Sequence, residues 1–149
     1  MLPLLLALFA GSTDSLRIAV APAETLQVTV IGEGPPVILV PGVLGSAFGF
    51  RKLTARLKEA GLQSVVVEPL GIGAATRPQF ADYSLTAQAD RIAAVLDSLA
   101  IRDAIVVAHS LGGSIALRLQ HAERHLRVAR CARRRARSRP APRACRRAR

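Results

Sequence analysis

Tryptophan is absent from these 149 residues, and one Tyr and four Phe are the whole aromatic content. None of the five lies beyond residue 83, so the arginines that crowd the end of the chain have no aromatic neighbours on which bases could stack. That argues against a specific nucleic-acid binder, for which interleaved aromatic and basic side chains are the usual device. Cysteine is as scarce: Cys131 and Cys145 are the only two. Two thiols build neither a zinc cluster nor a disulfide framework, and they leave the redox compartment open. Long hydrophobic runs are missing too. The most apolar stretch, "MLPLLLALFA" at the N-terminus, is about ten residues, half of what a bilayer-spanning helix needs.

That N-terminus has the apolar core of a short secretory signal, with "AVA" (19–21) or "APA" (21–23) as small-residue cleavage sites, but no basic residues precede it. Two readings stand, a secretory leader on one side and, on the other, a mis-assigned start or an ordinary apolar N-terminus. Export or periplasmic residence follows from the first and a cytoplasmic location from the second. The net charge of +11 is unevenly placed. Residues 1–117 carry eight Lys/Arg and nine Asp/Glu, whereas residues 118–149 carry thirteen Arg and one Glu. Basicity belongs to the end of the chain alone.

Half of the sequence is apolar, enough for one domain with a sizeable core. "SLRIAV" and "TLQVTVIGEG" alternate in the manner of strands, and "APAE" between them suits a hairpin turn. "PPVILVPG", "LQSVVVEP" and "DAIVVA" are short apolar runs bounded by Pro, Gly or charge, the pattern of strands buried on both faces. Helical spacing separates them. Phe50, Leu53 and Leu57 share one face of a helix expected over 47–60, with Gly61 placed to end it. Ser84 is the expected N-cap of a second helix whose apolar face holds Leu85, Ile92, Val95, Leu96 and Leu99, with Asp90, Arg91 and Asp97 pointing outward. "LGGSIALRL" opens a third. Strands alternating with helices predict an α/β fold with a mostly parallel sheet covered on both faces.

Within "VVAHSLGGSIALRL", the segment Ala108-His109-Ser110-Leu111-Gly112 has the form small-x-Ser-x-Gly at a strand-to-helix junction. Bulk two positions before or after such a serine would strike neighbouring backbone. The turn lifts the hydroxyl to the positive end of the following helix. The plainer reading is a capping serine at an ordinary turn.

Three stretches in order carry a resemblance. "VILVPGVLGS" resembles the oxyanion loop, "VVVEPLGIGAATRP" the Asp-x-x-Gly-x-Gly-x-Ser loop and "VVAHSLGGSIAL" the nucleophile elbow of the α/β-hydrolase family, over about residues 25 to 120. The sequence departs from that family in having Pro41-Gly42 where His-Gly is frequent, and Ala108 where Gly is frequent. Serine at position 110 sets it apart from the epoxide hydrolase and haloalkane dehalogenase branches, which use Asp there. The resemblance implies a serine hydrolase of the esterase and lipase kind acting on a small-molecule ester or related acyl bond without metal or cofactor. It implies Ser110 as nucleophile, the backbone N–H groups of Leu111 and Val43 as oxyanion donors, and Gly42 as the residue that lets the oxyanion loop bend close. Gly45 would share that bending role, although both Gly42 and Gly45 are nearly as readable as plain turn glycines, while Gly71 and Gly73 read first as glycines of a flexible surface loop.

The triad of this family runs Ser, Asp or Glu, then His along the chain. Downstream of Ser110 stand only His121, Glu123 and His125, about 16 to 23 Å along a continuing helix at 1.5 Å per residue. A general base must lie within about 3 Å of its proton. His109 adjoins the serine, but neighbouring side chains on a tight turn diverge. His121 and His125 share a helix face as zinc ligands can, without a third ligand. The acid and the base are therefore expected to be missing and the activity impaired. The alternative is a non-catalytic fragment or a basic-tailed binding protein.

The Arg/Ala/Pro text after Leu119 lacks any apolar period, as GC-rich coding sequence does in a shifted frame, and a frameshift is the expectation for it. The resulting division is a signal-like segment 1–23, a partial α/β-hydrolase domain 24–122, truncated after the nucleophile helix, and a disordered Arg-rich tail 123–149. Strand 103–108 would then be a bare apolar edge. Oligomeric state is not legible.

Overall fold

A computed structural model describes residues 13–122 and 126–128. Strands β1 (Thr13–Ala21) and β2 (Glu24–Ile31) form the expected hairpin. Then come β3 (Pro36–Val40), a 3-10 turn (Ala47–Phe50) running into α1 (Arg51–Glu59), β4 (Gln63–Glu68), α2 (Leu85–Ser98), β5 (Ile105–Ala108), α3 (Leu111–Ala122) and the two-residue β6 (Arg127–Val128). The sheet order is β1-β2-β4-β3-β5-β6. β4, β3, β5 and β6 are mutually parallel, while β2 pairs antiparallel with both β1 and β4. No described helix is long and apolar enough to cross a membrane.

Alternate residues of the apolar strands serve different faces. Ile38, Val40, Val65, Val67 and Val106 pack under α2 and α3 against Ile92, Val95, Leu96, Ile115 and Leu119. Val37, Leu39 and Val66 turn the other way onto Phe50, Leu53 and Leu57. Each such side chain taken fully out of water contributes roughly 1.5–3 kcal/mol. This explains why β3 and β4 read as continuous apolar runs rather than alternating ones. α1 ends as its sequence predicts, with Gly61 N–H donating to the Lys58 carbonyl and Leu62 N–H to the Leu57 carbonyl, a Schellman pair.

Ser84 caps α2, its Oγ accepting from Ala87 N–H at 3.2 Å. Arg91, expected on the outer face of that helix, is buried instead. Its Nε and Nη2 donate to the two carboxylate oxygens of Glu24 at 2.7 and 2.8 Å, and its Nη1 to the Asp82 carbonyl at 2.6 Å. A partner 67 positions away in sequence draws the guanidinium inward. Gln88, also buried, both donates to the Leu70 carbonyl (2.9 Å) and accepts from Leu70 N–H (3.0 Å).

The Arg91 hydrogen bonds hold the Glu24 carboxyl below its usual range. A backbone hydrogen bond from Ser84, followed by one from its side chain, does the same for Asp82. A carboxylate whose folded pKa is lowered contributes stability that is full above its unfolded pKa and is lost as pH falls through the folded value. Glu24→Gln is therefore expected to be less stable than the unaltered chain at neutral pH, with the gap narrowing as the medium is acidified through and below the ordinary carboxylate range. Urea midpoints measured along that series check it, and a gap that stays constant with pH contradicts it.

The sheet extends past both limits of the expected 24–122 domain. β1 begins at Thr13, and beyond α3 the chain turns back so that Leu126, 1% exposed, enters the core under α2 and α3. Arg127 and Val128 pair with Ile105 and Val106. Strand 103–108 is thus not the bare edge that its sequence suggested, because the returning chain covers its first half. Most of the expected tail, including Glu123, His125 and both cysteines, lies outside the described residues, as does the apolar N-terminus.

Candidate active site

At the C-terminal end of β5 the chain reverses into α3 within two residues. His109 N–H donates to the Val40 carbonyl (3.1 Å), extending the β3–β5 pairing by one step. Gly112 N–H then donates to the His109 carbonyl (3.0 Å) and Gly113 N–H to the Ser110 carbonyl (2.8 Å), which starts the helix. Ser110 between them has φ 54°, in the left-handed region. For a residue with a Cβ that conformation costs roughly 1–2 kcal/mol. Backbone strain of this kind persists only where the surroundings impose it.

Those surroundings are two glycine contacts. A Cβ on Gly112 would collide with the Val40 carbonyl oxygen and lie 2.6 Å from that of Pro41. A Cβ on Gly42 would stand 2.9 Å from the Ser110 Cβ and 3.1 Å from the His109 carbonyl oxygen. Backbone against backbone, the loop after β3 and the serine turn approach as closely as they can. Gly45 N–H donates to the Gly42 carbonyl at 2.8 Å, closing a turn with Val43 and Leu44 at its corners.

Between loop and turn opens a cavity of about 550 Å³ whose lining includes Pro41, Val43, Leu44, Phe50, His109 and Ser110. Among the described residues its lining holds no Lys, Arg, Asp or Glu. Ser110 and His109 are exposed, and Leu44, fully exposed, extends the apolar wall into solvent. Gly42, Val43 and Ser110 are thus assembled at one site, with Leu111 as the first residue of α3 beside them. Neither Val43 N–H nor Leu111 N–H donates a hydrogen bond among the described residues.

His121 and the acids upstream of the serine fall elsewhere. His121 lies in the last turn of α3, the end remote from Ser110. Asp82, Asp90, Asp97 and Asp103 are all exposed, with Asp82 bonded to Ser84 and Asp97 to Arg102. Among the described residues no three His, Cys, Asp or Glu side chains gather to hold a metal ion.

Glu68 was not singled out from the sequence. It ends β4 with 4% exposure, and its carboxylate accepts Ala47 N–H at 2.7 Å and Ala74 N–H at 2.6 Å. The signal was available: Glu68 closes the Val65–Val67 run and stands at the Asp position of the stretch that resembles the Asp-x-x-Gly-x-Gly-x-Ser loop. The loop itself is not the slack surface segment that its glycines suggested. Arg77 donates to the carbonyls of Gly71 and Gly73, and Thr76 bonds back to Ala23 and Thr25 of the hairpin.

Comparison with known proteins identifies the fold. Residues 35–132 match the model of the alpha/beta hydrolase fold. The chain is 35% identical over 89 residues to cis-3-alkyl-4-alkyloxetan-2-one decarboxylase of Shewanella oneidensis, covering 58% of this chain and 28% of that protein. It is 33% identical over 94 residues to the AB hydrolase superfamily protein YisY of Bacillus subtilis, covering 63% and 35%. Among solved structures, E-2-(acetamidomethylene)succinate hydrolase superposes with TM-score 0.70 at 28% identity, covering 78% of this chain and 43% of the other. The epoxide hydrolase CorEH superposes with TM-score 0.71 at 20% identity, covering 78% and 40%, a likeness of fold alone. The chain therefore spans between 18% and 35% of the length of the curated relatives it matches. With its three family-like loops gathered at one end of a mostly parallel sheet, and two thirds of its length matched, this chain belongs to the alpha/beta hydrolase fold family.

Proposed function

We propose that the chain carries the nucleophile and oxyanion elements of an acyl hydrolase, with Ser110 attacking the carbonyl carbon of an uncharged ester or related acyl compound. The observation that carries this reading is the left-handed backbone of Ser110, held at a strand-to-helix turn against the Gly42 loop. In the reaction the Ser110 Oγ–carbon bond forms as its proton passes to a base, the tetrahedral adduct collapses with the alcohol or amine taking that proton as it leaves, and water hydrolyses the acyl-serine to release the acid and restore Ser110. The N–H groups of Val43 and Leu111 are the donors for the adduct's oxyanion, each worth about 3–4 kcal/mol of transition-state stabilisation. The described part of the cavity lining, without charged side chains, favours an uncharged, alkyl-bearing substrate. A relative named for an alkyl-substituted oxetan-2-one, a cyclic ester, agrees with that class.

No described histidine or acid other than His109 lines the cavity, so turnover by these residues alone is expected to be weak. A fluorophosphonate probe needs only the first step: the Ser110 Oγ–phosphorus bond forms as fluoride leaves and the hydroxyl proton passes to buffer base, so labelling at high probe concentration, slow without a built-in base, still reads the serine. The unaltered chain should gain one adduct by intact mass, and Ser110→Ala none. Ser110→Gly should also lose the adduct yet become more stable by about 1 kcal/mol, since glycine adopts the turn without strain. Absence of labelling in folded protein, or equal labelling of Ser110→Ala, overturns the reading in favour of a non-catalytic binding protein.

A further inference from the structure

We propose that Glu68 is a positioning residue: by clamping the loop after β3 to the Gly-rich loop after β4, its carboxylate fixes the backbone that presents Val43 N–H to the site. The inference rests on the reading of Val43 as an oxyanion donor. Ala47, which one carboxylate oxygen holds, is the first residue of the helical segment 47–59. That segment lacks a local cap, for Ser46 makes no side-chain capping bond. A helix start carries unsatisfied N–H groups and partial positive charge. Glu68 supplies from a neighbouring strand the anionic acceptor that the local sequence does not. Only the six residues 41–46 separate this anchor from the end of β3, and the Gly42–Gly45 turn lies among them.

The other oxygen holds Ala74 in a loop already tied to the hairpin through Thr76 and laced internally by Arg77. Rigidity passes from the hairpin to the Gly-rich loop, through one carboxylate, to the turn carrying Val43. Gly73 leaves the space for this, because a Cβ there would overlap the Glu68 carboxylate. Two acceptor oxygens facing two N–H donors require the acid specifically: an amide of equal size offers one acceptor and turns an NH2 toward the other N–H.

Glu68→Gln tests this by hydrogen exchange and by fluorophosphonate labelling of the whole chain. Amides of residues 42–47 and 71–75 should exchange at least tenfold faster, those of β5 and α3 should hold their protection, and labelling of Ser110 should slow at least tenfold. Gly73→Ala, which leaves the carboxylate chemically intact but displaces it, should give the same signature and serves where Glu68→Gln fails to fold. Uniformly faster exchange throughout would make Glu68 a general stabiliser, and unchanged labelling would separate the clamp from the chemistry. Either overturns the proposal. Should the unaltered chain not label at all, the serine reading fails on its own, and local exchange at 42–47 still decides whether Glu68 holds the loop.

Discussion

Gly112→Val should cost about 3 kcal/mol or more and abolish fluorophosphonate labelling, while Gly113→Ala, one residue on, should gain about 0.5–1 kcal/mol and leave labelling intact. The first Cβ would fall on the carbonyl oxygens of Val40 and Pro41, which belong to the end of the central strand β3 and its exit. Neither is a side chain that can rotate away. α3 would have to lift, taking Ser110 with it and breaking the His109–Val40 hydrogen bond. The second Cβ meets nothing within 4 Å, so only the helix preference of alanine over glycine is felt. Urea midpoints together with adduct mass check the pair. Equal effects at the two positions would mean that the serine turn does not depend on close approach to β3.

Leu126→Ala should destabilise by about 2–5 kcal/mol, as truncation of a fully buried leucine does, whereas Leu117→Ala should stay within about 0.5 kcal/mol. Leu126 is 1% exposed and belongs to the core beneath α2 and α3, while Leu117 on the outer side of α3 is 46% exposed. The same substitution therefore asks where the folded unit ends. A disordered segment from residue 123 onward predicts no effect at 126. Denaturation midpoints of the two variants decide, and against a typical domain stability of about 5–15 kcal/mol the larger loss is conspicuous.

Legibility from sequence followed the range of the interaction. The hairpin, the apolar strands, the Ser84 cap and the Gly61 helix end rest on neighbours a few residues apart, and the sequence predicts them correctly. The juxtaposition of Gly42 with Ser110 was legible only because the family resemblance supplied it. Contacts that join distant segments were not legible. Arg91 sits on a helix position that reads as outward until Glu24, far back in the sequence, is placed beside it. Glu68 stands at the acidic position of the stretch that resembles the Asp-x-x-Gly-x-Gly-x-Ser loop, but its bonds to Ala47 and Ala74 exist only once two loops have converged. Leu126 was obscured differently, since one leucine amid arginines carries no period and its burial depends on the chain's return to the sheet.

Gln88 gives α2 a property that burial alone would not. Apolar packing resists separation but tolerates small rotations and slides, because many nearby arrangements bury almost the same area. The side-chain amide of Gln88 engages both the N–H and the carbonyl of Leu70, copying with a side chain the two-point exchange that a pair of strand residues makes. Two directional contacts to one residue set an angle as well as a distance. The azimuth of the helix is thereby tied to the start of the Gly-rich loop at Leu70, so that neither can turn without stretching a hydrogen bond to the other.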